Sequence, residues 1–160
     1  MISPRHLNVL RQLHARLHAT GINWAVTGSL GFALQGVPVE PHDIDIQADA
    51  AGVYEIQQLF SEFVLRPVSL SSKDTIRSHF GALLIDGIEV ELMGDIQKAD
   101  SGGTWDAPTD LNRHKRFVEV EDMRIPVLSL EYEEQAYRKM GRVEKAEMLR
   151  QWLQSHPRSE

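Results

Sequence analysis

The chain has 160 residues, 42% of them apolar, a mean hydropathy of -0.30 and a net charge of -6. That length suits one domain with a real core, and the acidic balance argues against an extended nucleic-acid footprint, which needs Lys and Arg to neutralise phosphates. The absence of Cys excludes disulfides, thiolate zinc sites and cysteine nucleophiles. No apolar run is long enough to cross a bilayer and residues 1–20 lack the apolar centre of a signal peptide, so no membrane partner and a cytoplasmic location are expected.

Residues 3–19 predict a first helix, with Ser3 as N-cap, Pro4 in the first helical position and Leu10, Leu13 and Leu17 on one face. His14 and His18 have the i,i+4 spacing of a metal clamp, but no third ligand accompanies them and a structural role is expected. Residues 24–27 read as a buried strand, Gly28-Ser29 as a tight turn, and residues 29–35 as one or two helical turns. Gly36, Pro38 and Pro41 mark a loop before a second strand that carries Asp43 and Asp45. Residues 52–63 form an amphipathic helix through Val53, Ile56, Leu59, Phe60 and Phe63.

Residues 64–70 suit a strand or an extended connection, and the polar residues 71–77 a loop. Asp86-Gly87 between residues 78–85 and 88–93 is a two-residue hairpin signal. Residues 100–110 are turn-rich and expected to be mobile, with Trp105 anchoring them. Residues 116–120 and 124–128 predict another hairpin. Residues 130–140 and 142–153 predict two helices parted at Gly141, before a frayed tail at 155–160. The fold expected is α+β: a small mixed sheet with helices on one face, a core at about 20–100, and a C-terminal hairpin and helices at about 115–154.

The chemistry concentrates on the second strand. Alternation points Asp43 and Asp45 the same way while Ile44 and Ile46 enter the core. Two carboxylates about 6–7 Å apart on one strand face repel each other, and a hard divalent cation such as Mg²⁺ removes that penalty. Upstream, the Gly28-Ser29 turn opens a helix whose free N–H groups and positive dipole end suit a phosphate. Later, Glu89 and Glu91 share one face of a hairpin arm. Glu91 is preferred over Glu89 as the third carboxylate because Glu89 lies beside the turn.

Gly28-Ser29, then Asp43-Ile44-Asp45, then Val90-Glu91-Leu92 resembles the nucleotidyltransferase superfamily with the DNA polymerase β palm-like fold. Within it the chain is similar to the minimal and antibiotic-type bacterial enzymes. The resemblance implies that Asp43, Asp45 and Glu91 are catalytic and hold two Mg²⁺ ions on an NTP, ATP for preference. It also implies that Gly28 and Ser29 bind phosphates, and that the C-terminal segment with Lys139, Arg142 and Lys145 supplies nucleotide-binding cations, Lys139 and Lys145 for preference, although Ala146 follows Lys145 where relatives carry Asp. The activity implied is transfer of AMP to a hydroxyl of a small molecule or protein, releasing pyrophosphate. Two other readings compete: a silent nucleotide-binding module of a toxin–antitoxin-like pair, and a metal-dependent phosphohydrolase, which lacks its His/Asp-rich motifs. The acceptor, the base and the choice between a homo-oligomer and a partner protein are left open.

Overall fold

The computed structural model of the chain describes residues 2–157. Residues 158–160 of the predicted tail lie outside the described residues, while Ser155 closes a helix. Helix α1 spans Pro4–Leu17, and Ser3 caps it by accepting the His6 amide at 3.1 Å. Next come β1 (Trp24–Thr27), α2 (Gly28–Leu34), β2 (Ile44–Ala48) and α3 (Ala50–Leu59). The strands β3 (Val64–Lys73), β4 (Ile76–Ile85) and β5 (Ile88–Lys98) follow as a meander. After a single turn, α4 (Leu111–His114), the chain forms β6 (Lys115–Val120), β7 (Met123–Leu128), α5 (Leu130–Lys139) and α6 (Val143–Ser155).

All seven strands join one mixed sheet in the order β3-β4-β5-β2-β1-β7-β6. β2 runs antiparallel to β1 and parallel to β5, and β1 runs parallel to β7. Strand alternation splits this sheet into two unlike faces. One carries Val26, Ile44, Ile46, Val90 and Leu92, all 0% exposed, under α1 and α3. Ala25 on the other face packs with Leu111, Leu128 and Tyr132, so α5 covers the second face near β1 and β7. Phe32, Val37, Leu130 and Leu149 tie α2 to α5 and α6. The α+β expectation holds, but the helices expected on one face cover both, because α5 follows β7 onto the second face. No helix among the described residues is long and apolar enough to cross a membrane.

Residues 71–77, expected to be a loop, are the facing ends of β3 and β4 around a turn at Asp74, whose φ is 40°. β3 is an edge strand with mostly exposed side chains, so it carries no apolar alternation to betray it. The Asp86-Gly87 hairpin turn has positive φ at both residues, as its sequence predicts. β5 continues past Met93 to Lys98 across an irregularity near Asp95, whose φ is 49° and whose carboxylate accepts the Ala50 amide at 3.1 Å. α3 starts at Ala50, capped by Asp49, and ends at Leu59; Ser61–Phe63 is a separate 3-10 turn. The turn-rich segment after β5 is pinned: Asp106 accepts the Lys98 amide at 2.7 Å, and Arg77 lies 4.4 Å over the Trp105 ring.

Candidate active site

β1 ends at Thr27, and Gly28 turns the chain directly into α2 with a φ of 69°. A side chain at Gly28 would overlap Asp45 Oδ2, so the glycine is required by backbone conformation and by space together. Register then sets Thr27, Asp45 and Glu91 side by side across β1, β2 and β5, on strands about 4.8 Å apart. Asp43, exposed just before β2, completes the acidic edge: it, Glu89 and Glu91 each offer an oxygen within 4.8 Å of the others. Arg66 on β3 donates to Glu89 Oε2 at 2.9 Å and lies 3.8 Å from Glu91 Oε2.

Asp45 is the electrostatic centre. Its Oδ1 is buried and has no hydrogen-bond partner. Burial first, then the adjacent Glu91, then Asp43 and Glu133 push its pKa up to about 8. Asp45 and Glu91 are cross-strand neighbours that raise the cost of charging Asp45, an arrangement that holds a proton or a cation. A hard cation fits this donor set, since every candidate ligand atom is a carboxylate oxygen.

The wall opposite comes from α5. Ser129 caps it by accepting the Tyr132 amide at 3.1 Å, and its first turn brings Glu133 against β1. Glu133 is 4% exposed; it accepts both Thr27 Oγ1 contacts at 2.8 Å and the Gly28 amide at 3.0 Å. Burial pushes its pKa up to about 7 against the opposing pull of Thr27, Gly28, Lys98 and Lys145. Lys98, 5% exposed at the end of β5, donates to Thr109 Oγ1 at 3.2 Å and to the Tyr132 hydroxyl. The resulting cleft is bounded by Gly28, Asp45, Glu91, Lys98, Glu133 and Arg142.

Because the folded-state pKa of Glu133 lies above its ordinary value of 4.5, its stabilising contribution is present at low pH and is lost as pH rises through about 7. Glu133→Gln keeps an acceptor for Thr27 and Gly28 without the charge. In urea titrations the variant is expected to match the wild type near pH 5 and to exceed it at pH 8 by on the order of 1–3 kcal/mol. An unchanged difference between the two pH values counts against the buried-charge account.

Of the residues singled out by sequence, Gly28, Asp45 and Glu91 line this cleft, and Asp43 stands at its acidic edge. Ser29 follows as a half-buried residue of α2. The two C-terminal lysines are outside the lining: Lys139 pairs with Asp106 at 3.4 Å, and Lys145 stands 5.3 Å from the Tyr137 ring centre. Arg142, the third cation that the sequence places in this segment, stands 5.5 Å from the same ring and lines the cleft. His14 and His18 stack at 4.8 Å, and His79 meets the Tyr54 hydroxyl at 3.1 Å. Sequence reasoning missed Lys98, Glu133 and Tyr137. The one available signal was the mixed polar and apolar character of residues 130–140, which reflects a buried carboxylate on the inner face of α5.

The aminoglycoside-2''-adenylyltransferase family matches residues 9–151. The proposed nucleotidyltransferase TM1012 of Thermotoga maritima, solved as a crystal structure, is 63% identical, covers 98% of this chain and 97% of its own, and superposes with a TM-score of 0.85. The lincomycin-bound lincosamide antibiotic adenylyltransferase LnuA shares the fold at 16% identity and a TM-score of 0.53, over 92% of this chain and 98% of its own. Among curated proteins no sequence matches. Matched over most of its length, with the glycine turn and acidic strands in place, the chain belongs to the aminoglycoside-2''-adenylyltransferase family of nucleotidyltransferase enzymes.

Proposed function

We propose that the chain is a Mg²⁺-dependent enzyme that transfers AMP from ATP to a hydroxyl of a small molecule or protein and releases pyrophosphate. The observation that carries this reading is the unpartnered, buried Asp45 oxygen beside Glu91. Asp43, Asp45 and Glu91 would hold two Mg²⁺ ions, with Glu89 at the rim engaged by Arg66. Such ions, when bound, neutralise the triphosphate and stabilise the entering and leaving oxygens of an in-line displacement.

The chain's own residues do the remainder. Gly28 lets the Asp45 carboxylate pack against the β1–α2 turn, and Ser29 would offer a backbone N–H and a hydroxyl to a phosphate. Arg142 and Lys98 supply positive charge inside the cleft, and Lys145 beside Tyr137 and Lys139 beside Asp106 would add to it. The acceptor enters a second cavity that shares Glu91 and Arg142 with the cleft and includes Ser71, Ser78 and Phe80. Its hydroxyl oxygen bonds to the α-phosphorus as the bond to the β-phosphate breaks, Glu91 takes the hydroxyl proton, and pyrophosphate departs. The family's name points to an aminoglycoside hydroxyl as acceptor. A cytoplasmic setting supplies both ATP and Mg²⁺.

The silent-module reading rests on Arg66, a cation that already partners Glu89 and approaches Glu91. Incubation with labelled ATP, Mg²⁺ and a panel of aminoglycosides separates the two: pyrophosphate and an adenylylated acceptor are expected. ATP binding by calorimetry with no pyrophosphate for any acceptor supports the silent module, and inorganic phosphate in its place supports hydrolysis.

A further inference from the structure

Many basic side chains of this acidic protein meet a carboxylate: Arg11 pairs with Glu121 and Asp122, Arg16 with Glu62, and Arg138 with Glu134. One cluster away from the cleft forms no ion pair among the described residues, its one acting acid being Asp122, which reaches His14. Where the C-terminal turn of α1 meets the β6–β7 edge, a cavity of about 250 Å³ is lined by His14, His18, Lys115 and Arg124, with Trp24 and Phe117 among its apolar walls. None of its lining residues is acidic. It is several times the roughly 30 Å³ that one water occupies.

Lys115 is half-buried, and its ammonium donates to the neutral amide oxygen of Asn23. Burial is the cause that lowers its pKa, with no carboxylate acting against it. Arg124 has Glu119 as its cross-strand neighbour, yet its guanidinium lies 4.2 Å over the Phe117 ring. The His18 Nδ1 donates to the His14 carbonyl at 2.8 Å, so Nε2 donates to an anion when the ring is doubly protonated. A partly desolvated cation without a counter-charge is costly, and an anion placed among these groups removes the cost. The planar fork of Arg124 and the compact charge of Lys115 both suit phosphate oxygens. Trp24 opens β1 and Thr27 ends it beside Gly28, so this cavity and the cleft stand at opposite ends of one strand.

We propose that this cavity is a second anion site, which binds a phosphate group through Lys115, Arg124 and His18. It stands independently of nucleotidyl transfer, because none of these residues borders the cleft. The phosphate is either free or part of an organic ester whose apolar portion lies against Trp24 and Phe117.

Residue-resolved NMR titration at constant ionic strength tests it, with inorganic phosphate, pyrophosphate and AMP as probes. Saturable shifts are expected at the amides of His18, Lys115, Phe117 and Arg124, with a Kd on the order of 1 mM. Shifts at Gly28 and Ser29 report the cleft and are scored separately. Lys115→Gln/Arg124→Gln is expected to weaken the edge site at least about tenfold, and Lys115→Arg to retain it. Arg124→Gln alone alters an exposed strand residue and keeps the test available if the double variant does not fold. Equal affinities for phosphate and AMP assign free phosphate; tighter AMP binding with shifts at Trp24 assigns the ester. Shifts that fail to saturate, or that persist unchanged in Arg124→Gln, overturn the site.

Discussion

Asp45→Asn is expected to reduce nucleotidyl transfer by at least about 10³-fold, an effect of about 4 kcal/mol on the transition state, while making the metal-free protein more stable at pH 8. The two effects share one cause. Asp45 is buried beside Glu91 and near Asp43 and Glu133, and its pKa is pushed up to about 8 from an ordinary 3.8. A raised carboxylate favours the folded state fully below its unfolded pKa, and that advantage is lost as pH rises from about 4 through about 8. The neutral isostere carries no such penalty. A gain of on the order of 2 kcal/mol, several degrees in Tm, is therefore expected at pH 8 and a smaller one at pH 5. Thermal melts at the two pH values, beside a pyrophosphate assay, measure both. A variant that melts with the wild type at pH 8 removes the claim that these carboxylates repel, and undiminished pyrophosphate release removes the proposed role.

Gly28→Ala is expected to be the most damaging single-methyl addition at the cleft. A φ of 69° costs an L-residue about 1–2 kcal/mol, and the added methyl overlaps Asp45 Oδ2. Either the Asp45 carboxylate swings toward Glu91 or the β1–α2 turn shifts and pulls the Gly28 amide from Glu133. Each displaces groups that must act together, and a shift of about 1 Å can cost about 10²-fold in rate. Denaturation should show a loss of about 2 kcal/mol or more, with turnover falling further than stability explains. If activity falls merely in proportion to the folded fraction, the glycine matters for the fold alone.

The parts of this site that could be read from the chain are local. Gly28 needs positive φ at the entrance to α2, Asp43 and Asp45 alternate with buried isoleucines, and Asp86-Gly87 closes a hairpin. Turn chemistry and period express these within a few residues. What was hidden depends on distant partners. β3 is exposed at the sheet edge, so its polar end at residues 71–73 resembled a loop. Glu91, preferred from sequence, stands opposite Asp45 through the register of β5 against β2, while both Glu89 and Glu91 reach Asp43. Glu133 and Lys98 acquire their places only when α5 docks on β1 and Tyr132 meets the end of β5. The deviation of Lys139 from the cleft has the same origin, since Asp106 in the loop after β5 holds it.

The parallel pairing of β2 with β5 also bears on how the protein assembles. Asp45 and Glu91 become neighbours after α3 and the β3–β4 meander have been laid down between them, a long loop to close. The unfolded chain therefore offers a divalent ion only the local Asp43 and Asp45 pair without Glu91, and added Mg²⁺ should slow unfolding more than it hastens the collapse that precedes it. On the proposed reading the ion would be a latecomer that locks a finished scaffold, not a nucleus around which the scaffold forms.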